Sequence, residues 1–220
     1  MKKLKYILFD LDGTLTDPKV GITKSVQYSL EFFGIKEDNL DNLEKFIGPS
    51  LMDSYKEFYD FTEEEGHKAI EKYRERFETI GLYENEIYEG MKDMLDQLTK
   101  QGLLLAVASS KPTIFVERIC EYFKIDQYFH HMIGSFLDGT RVKKEEVVEE
   151  AISQFGQVSP MEIIMVGDRR FDMEGAQAKG IRSIGVTFGY GGQEELQQAG
   201  ADFIVDSVLD LQTLILDMAR

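Results

Sequence analysis

The chain has 220 residues, enough for one globular domain of ordinary size or slightly more. Hydrophobic residues make up 43% and charged residues 30%, a mixture typical of proteins that bury a sizeable core. Lysine and arginine number 25 against 40 aspartates and glutamates, and the resulting net charge of −15 argues against binding to nucleic acid or to anionic membranes.

Short apolar runs recur along the chain, and each predicts a strand that is buried on both faces. The first run, residues 6–9, is cut off by Asp10-Leu11-Asp12-Gly13-Thr14. The later runs are residues 103–108, 163–166, 181–188 and 203–205. Helical patterns alternate with them at residues 91–101, 144–155, 194–199 and 209–218. This alternation predicts an α/β fold with a Rossmann-like parallel sheet flanked by helices.

Residues 16–83 interrupt the alternation, because they contain no convincing buried strand. Four helical stretches are predicted there, at residues 22–33, 40–47, 51–58 and 63–80, with breaks at Gly34, Gly48-Pro49 and Gly81. The sequence therefore predicts two domains. One is an α/β core of residues 1–15 and 84–220, and the other is a small α-helical cap of residues 16–83 inserted after the first strand.

No targeting or membrane-spanning segment is visible in the sequence. The first apolar run ends at Asp10 and is too short for a signal peptide, and no run approaches 18 apolar residues. Cys120 is the only cysteine, so no disulfide forms within the chain and a reducing compartment is favoured. We therefore expect a cytoplasmic protein with no nucleic-acid or membrane partner.

Acidic and hydroxyl side chains follow several of the predicted strands. Asp10 and Asp12 follow the first, Ser109 the second and Asp168 the third, with Asp172 four residues later. Ligand sites of open parallel sheets lie beyond the carboxyl ends of the strands, so these side chains meet in one crevice if their strands are neighbours. Two like charges about 4 Å apart repel by roughly 4 kcal/mol at an effective dielectric constant near 20, so the cluster needs protonation or a cation. Oxygen ligands with few histidines favour Mg²⁺ over Zn²⁺, and Mg²⁺ leaves positions open for phosphate oxygens.

In these residues the chain resembles the haloacid dehalogenase superfamily of phosphatases. Asp10-Leu11-Asp12-Gly13-Thr14 resembles the first motif, Ser109 the second, Lys144 at the start of a helix the third, and residues 167–172 the fourth. The motifs occur in the expected order, and the helical insert matches the smaller cap of the family, so the resemblance covers essentially the whole chain. Phe46-Ile47-Gly48-Pro49 and Gly189-Tyr190-Gly191 further resemble the branch of phosphoglycolate phosphatases and bacterial cytosolic 5′-nucleotidases.

The resemblance implies Mg²⁺-dependent hydrolysis of a small phosphorylated metabolite, a phosphate monoester, through an aspartyl-phosphate intermediate. Asp10 would be the nucleophile, and Asp12 would protonate the leaving alkoxide and then activate water. The metal would be held by Asp10, by the backbone carbonyl of Asp12 and by Asp168, with Asp172 orienting the lysine or the waters of the metal. The transferring phosphoryl group would be bound by Ser109, Ser110 and Lys144.

Several assignments of residues have alternatives. The third-motif lysine of the family is often followed by proline, whereas this chain has Lys143-Lys144-Glu145, so Lys143 is the alternative to Lys144. Lys111 either contacts the substrate or is a solvated lysine at a strand end. For Asp172 taken alone, the alternative is a cap for the helix that follows it.

Other features are weaker indicators of function. Three residues of the predicted cap are candidates for contacting the substrate, namely Lys24, Gly48 and Ser50. The adjacent histidines His130 and His131 lack the spacing of metal ligands and are predicted to lie in a loop. The glycine-rich residues 189–192 lack the lysine and hydroxyl of a phosphate-binding loop.

Two other functions use related chemistry. A phosphosugar mutase on the same scaffold would transfer the phosphoryl group to a sugar hydroxyl instead of water. A receiver-like signalling domain also uses a phosphoaccepting aspartate, Mg²⁺, a hydroxyl residue and a lysine, but it lacks the Asp-x-Asp-Gly-Thr pair and the helical insert. The sequence leaves open whether the substrate is phosphoglycolate, a nucleoside 5′-monophosphate or a sugar phosphate, and whether the protein is a monomer or a homodimer.

Overall fold

A computed structural model describes residues 3–220, so Met1 and Lys2 of the predicted core domain lie outside the described residues. The chain divides into two compact units. Unit 1 contains the chain up to Asp17 together with Ile87–Arg220, and unit 2 is Pro18–Glu86. The action of unit 2 as a cap stays a prediction.

Unit 1 is built on a six-stranded parallel sheet. The strands of the described chain are β1 (Tyr6–Phe9), β2 (Thr16–Asp17), β3 (Glu86–Ile87), β4 (Leu104–Pro112), β5 (Phe129–Ser135), β6 (Ile163–Gly167), β7 (Arg182–Val186) and β8 (Phe203–Val205). The sheet has the order β5-β4-β1-β6-β7-β8, and its neighbouring strands all run parallel. The predicted Rossmann-like α/β fold is confirmed.

Three α-helices belong to unit 2 and six flank the sheet of unit 1 in the described chain. They are α1 (Lys19–Phe32), α2 (Leu51–Tyr59), α3 (Glu63–Phe77), α4 (Met91–Lys100), α5 (Thr113–Phe123), α6 (Lys144–Ser153), α7 (Arg170–Ala178), α8 (Gly192–Gln198) and α9 (Val208–Met218). Short 3-10 helices lie at Leu40–Phe46, Gly81–Tyr83, Asp126–Tyr128 and Pro160–Glu162. The first of these replaces the helix predicted at residues 40–47. Within residues 3–220, no helix has the length and apolar composition that crossing a bilayer requires.

The core of unit 1 explains why its central strands are continuous apolar runs. On β1, Tyr6 and Leu8 face a cluster that includes Val147 and Ala151 of α6. The alternate residues of β1 point to the other face and are also buried. A strand covered on both faces has no polar position, which is the pattern that the sequence displays.

The prediction of a loop at the two histidines is wrong, because they belong to β5. His130 and His131 lie within this strand, which pairs with β4 at the edge of the sheet. An edge strand tolerates polar residues because it has a neighbour on one side only, so no apolar run marked it in the sequence. β4 also extends beyond the predicted residue 108, because Pro112 pairs with Ser135 of β5 after an irregularity in the register.

Candidate active site

The strand order brings together acidic residues that are distant in the sequence. β1 lies between β4 and β6, so the carboxyl ends of these three strands are adjacent. Asp10 follows β1 directly, and its N–H donates to the carbonyl of Val166 in β6 at 2.9 Å. Asp168 follows β6, and Asp172 lies in the first turn of α7. One carboxylate oxygen from each of Asp10, Asp168 and Asp172 lies within 4.8 Å of the others, and all three residues are buried.

Two backbone N–H groups and one side-chain hydroxyl of unit 1 hold the carboxylates of Asp168 and Asp172 in place. The hydroxyl of Thr14 donates to Asp168 Oδ1 at 3.3 Å, and the N–H of Tyr190 donates to Asp168 Oδ2 at 2.8 Å. Asp172 Oδ2 accepts the N–H of Arg169 at 3.1 Å at the start of α7. Asp172 therefore caps its helix and also belongs to the carboxylate cluster.

Lys144 is the lysine that the fold brings to this cluster. Its Nζ lies 2.8 Å from both Asp10 Oδ1 and Asp172 Oδ1, and it donates to the carbonyl of Ala108 at 3.0 Å. The side chain of Lys144 is 6% exposed, whereas Lys143 is an exposed residue that precedes α6. The geometry favours Lys144 over Lys143 as the lysine of the site.

A second lysine pairs with the other acidic residue of the first motif. Lys111 Nζ lies 2.8 Å from Asp12 Oδ2, so Lys111 is not a solvated lysine. Ser109 is buried, and its Oγ accepts the N–H of Lys111 at 3.4 Å. Ser110 is partly buried, and its carbonyl accepts the hydroxyl of Ser135 at 2.8 Å. All three residues of this stretch lie on β4, at the carboxyl end of the sheet.

Burial controls the electrostatics of the cluster. It raises the pKa of Asp168 well above its ordinary value, and the charges of Asp172 and Asp10 raise it further. Burial also raises the pKa of Asp172, to about 6, against the opposing effect of Lys144. Burial acts to lower the pKa of Lys144, but the charges of Asp10 and Asp172 outweigh it and raise that pKa. The carboxylates thus lie where their ionised forms are disfavoured without a further cation.

The charge balance and the donor atoms fit a divalent cation. When ionised, the four aspartates of the site exceed the two buried lysines by two negative charges. The pKa of Asp12 is also raised by burial, against the effect of Lys111. Asp12 Oδ1 is buried without a hydrogen-bond partner in the described part of the chain. Carboxylate oxygens are the ligands that Mg²⁺ prefers, so the residues present fit this ion.

The glycine-rich residues 189–192 support the site in a way that the sequence did not indicate. A Cβ on Gly189 would lie less than 3.0 Å from the Asp168 side chain and from the carbonyl of Gly13. The next residue, Tyr190, donates its N–H to Asp168 and its hydroxyl to Asp17. This segment therefore packs against Asp168, and the glycines themselves were its only signal in the sequence.

The three residues proposed as substrate contacts in the cap have structural roles within unit 2. Lys24 Nζ lies 3.1 Å from Glu84 Oε1, and Arg76 donates to the same carboxylate at 2.7 Å. The hydroxyl of Ser50 accepts the N–H of Asp53 at 3.2 Å and caps α2, and Gly48 has a φ of 107°. Their contact with substrate stays a prediction.

Gly13→Ala is expected to displace the Asp168 side chain in addition to straining the backbone at residue 13. Gly13 has a φ of 80°, and an added Cβ would lie less than 3.0 Å from the Asp168 carboxylate. A misplacement of about 1 Å can lower the rate of an enzyme by roughly 10²-fold, so we expect a loss of that size in any turnover that depends on the Asp168 carboxylate.

Gly102→Ala is the matched control for Gly13→Ala. Gly102 also has a φ of 80°, but no atom lies within 4 Å of the added Cβ. Both variants should lose about 1–2 kcal/mol of unfolding free energy to left-handed backbone strain. Gly13→Ala should lose more, because the buried Asp168 side chain must also shift, and only Gly13→Ala should lose activity. Equal kcat values in the two variants would contradict the assigned role of the Gly13–Asp168 contact.

Several known proteins are similar to this chain in sequence and in fold. The family model of haloacid dehalogenase-like hydrolases matches residues 7–186. A 5′-nucleotidase from Pseudomonas aeruginosa is 44% identical over 191 residues, which are 87% of this chain and 86% of that protein. A phosphoglycolate phosphatase from Vibrio parahaemolyticus is 28% identical over 221 residues, with 96% of each chain covered. The crystal structure of a predicted phosphatase from Clostridium acetobutylicum has a TM-score of 0.95 and 46% identity, and covers 98% of this chain and 100% of that one. The resemblance to this family is confirmed.

Proposed function

The chain belongs to the haloacid dehalogenase-like hydrolase family, as a phosphatase, and we propose that it hydrolyses small phosphate monoesters with Mg²⁺ through an aspartyl-phosphate intermediate. The observation that most supports this proposal is the buried ion-pair cluster. There, Lys144 bridges Asp10 and Asp172 while Asp168 lies against both. Burying like charges together destabilises a fold. A helix cap or a turn does not require such a cluster, so its presence points to a function.

Asp10 has the position of the nucleophile. It follows the central strand, its backbone is fixed to β6, and Lys144 holds its carboxylate. In the proposed first step, an oxygen of Asp10 forms a bond to phosphorus while the bond from phosphorus to the leaving oxygen breaks. Asp12, protonated, gives its proton to that oxygen, so the product leaves as a neutral alcohol. In the second step Asp12 takes a proton from water as the water attacks phosphorus, which releases inorganic phosphate and restores Asp10.

The remaining residues bind and stabilise the phosphoryl group. Mg²⁺, which Asp10, Asp168 and the backbone carbonyl of Asp12 would hold, supplies charge stabilisation for the phosphoryl oxygens. Lys144 would add a positive charge, and Ser109 and Ser110 would donate hydrogen bonds. Phosphoryl transfer depends mainly on placement and charge stabilisation, so fixed donors of this kind are sufficient machinery.

Two of the relatives favour hydrolysis over the two alternative functions. A 5′-nucleotidase and a phosphoglycolate phosphatase both cleave phosphate monoesters, although their substrates differ greatly in size. We propose a small phosphorylated metabolite of this class as the substrate. A phosphosugar mutase or a receiver-like phosphoacceptor would release no phosphate in repeated turnovers, which separates both from a hydrolase.

The purified protein is expected to release inorganic phosphate catalytically when Mg²⁺ is present. The substrates to compare are adenosine 5′-monophosphate, phosphoglycolate, glucose 6-phosphate and para-nitrophenyl phosphate. Because the carboxylate cluster needs a divalent cation to bind a phosphate dianion, EDTA should reduce release to background and excess Mg²⁺ should restore it. Isomerisation of the sugar phosphate without phosphate release would indicate a mutase, and a single phosphorylation per chain would indicate a receiver.

Thermal unfolding provides a readout of Mg²⁺ binding that does not depend on activity. At a concentration about 100 times its Kd, a ligand adds roughly 2.7 kcal/mol of stability. For a chain of this size we expect Tm to rise by roughly 5–10 °C. The same Mg²⁺ concentration should leave the Tm of Asp168→Asn nearly unchanged, because that variant lacks one carboxylate of the cluster.

A further inference from the structure

Lys111 is a buried lysine of the candidate active site that has no role in the two proposed reaction steps. Its Nζ lies 2.8 Å from Asp12 Oδ2, and the two side chains are 7% and 11% exposed. Building on the proposed function, we propose that Lys111 is a positioning residue that holds the Asp12 carboxyl group in place to exchange a proton with the leaving oxygen. Its effect on the reaction would then pass through Asp12.

The backbone of Lys111 is fixed from two sides. Its N–H donates to the hydroxyl of Ser109 at 3.4 Å. The edge strand β5 approaches its carbonyl so closely that a Cβ on Gly134 would lie less than 3.0 Å from it. Ser135 of β5 donates its hydroxyl to the carbonyl of Ser110 at 2.8 Å. A lysine anchored in this way can place its ammonium group reproducibly at the end of β1.

Asp12 is paired with a lysine of its own, Lys111, whereas Asp10 shares its lysine with Asp172. Lys144 is already shared between Asp10 and Asp172, at 2.8 Å from each. Asp12 Oδ2 lies 2.8 Å from the ammonium group of Lys111, and its Oδ1 is buried without a hydrogen-bond partner in the part of the chain that the structure describes. Lys111 thus fixes one oxygen of the carboxyl group and leaves Oδ1 available for a substrate. Without Lys111, Asp12 Oδ2 loses the ammonium group that lies 2.8 Å from it, so the carboxyl group is no longer held in one orientation toward the reacting group.

The leaving group of the substrate distinguishes this role from direct binding of phosphate. An alkyl phosphate releases a very weakly acidic alcohol, so its cleavage needs the proton of Asp12. Nitrophenol is a far stronger acid and leaves as an anion with little help. A residue that positions Asp12 therefore affects alkyl phosphates selectively, whereas a residue that binds the phosphoryl group affects both substrates alike.

The test compares kcat/KM for two substrates in Lys111→Met. One substrate is para-nitrophenyl phosphate, and the other is whichever of adenosine 5′-monophosphate and phosphoglycolate the wild-type protein cleaves faster. kcat/KM reports the steps up to the first cleavage, so the later hydrolysis of the phosphorylated Asp10 does not affect it. We expect the ratio of alkyl to nitrophenyl kcat/KM to fall by about 10²-fold, the lower end of the range for a general acid.

Two further variants make the test specific. Asp12→Asn should lower the same ratio, and Lys111→Met in the Asp12→Asn background should lower it little further, because both changes remove one function. Lys100→Met removes an exposed lysine that also pairs with an aspartate, Asp96 at 2.5 Å, and should leave the ratio unchanged. If Lys111→Met lowers the Tm strongly, the ratio is measured in Lys111→Gln by the same criterion.

The proposal is overturned if Lys111→Met lowers both kcat/KM values equally, or if the ratio stays at the wild-type value. The first result would assign Lys111 to phosphate binding or to folding, and the second would leave it without a role in proton transfer. Failure of the proposed function itself is a different result, because the wild-type protein would then release no phosphate at all.

Discussion

Asp10→Asn is expected to abolish phosphate release, with kcat lowered by about 10⁴-fold or more, the scale on which the loss of a catalytic nucleophile acts. The amide of asparagine has nearly the shape of the carboxylate but does not attack phosphorus. Asp10 lies beside Lys144 and within 4.8 Å of the other two carboxylates, so the substitution removes the attacking oxygen at the centre of the site. The fold should persist, because Lys144 keeps its ion pair with Asp172.

The measurement combines steady-state phosphate release with trapping of the intermediate. Wild-type protein quenched during turnover of labelled substrate should carry phosphate that hydroxylamine removes, as expected for an acyl phosphate, and Asp10→Asn should carry none. Asp96→Asn is the matched control, since Asp96 is a partly exposed aspartate in an ion pair with Lys100 on α4. Turnover by Asp10→Asn at the wild-type rate would refute the assignment of the nucleophile.

Lys144→Met is expected to lower both stability and activity. The substitution leaves the buried carboxylates of Asp10 and Asp172 without the ammonium group that lies 2.8 Å from each. Removing one partner from a buried ion pair costs about 3–5 kcal/mol, which corresponds to a decrease in Tm of roughly 6–20 °C for a chain of this size. Phosphate release should also fall, because the transferring group loses a positive charge.

The stability loss in Lys144→Met should depend on pH when EDTA is present. In the wild-type fold, the pKa of Asp172 is raised from 3.8 to about 6, mainly by burial, so the folded protein holds this proton more tightly than the unfolded chain. Ionisation of Asp172 therefore destabilises the fold as pH rises through this window. Without Lys144 that pKa rises further, so the difference in Tm between variant and wild type should be smaller at pH 5 than at pH 8.

Lys143→Met is the matched control for Lys144→Met and compares the two adjacent lysines directly. Lys143 is exposed at the start of α6, so its loss should change the unfolding free energy by less than about 0.5 kcal/mol and leave turnover unchanged. If Lys143→Met lost activity and Lys144→Met kept it, the assignment of Lys144 to the site would be wrong and Lys143 would be the lysine of the site.

Some features of this protein could be predicted from the sequence, because each depends on residues that are close together in the chain. The apolar run of β1 reveals a central strand, since Tyr6–Phe9 is buried on both faces and tolerates no polar residue. β5 could not be recognised in this way, because an edge strand with His130 and His131 has no such constraint. The motifs at strand ends could be recognised from the sequence, because each is formed by residues that are close together in the chain. The partners of their side chains could not, because those partners are distant in the chain.

The sequence by itself determined the fold class, the family resemblance and the group of acidic residues that forms the candidate site. The tertiary structure decided which lysine forms an ion pair with which aspartate. Lys144 reaches Asp10 and Asp172, and Lys111 reaches Asp12 across about 100 residues of chain, because the strand order places β1 between β4 and β6. An ion pair depends on distances in space, and the order of strands in a sheet, which sets those distances, is not written in the local pattern of the chain.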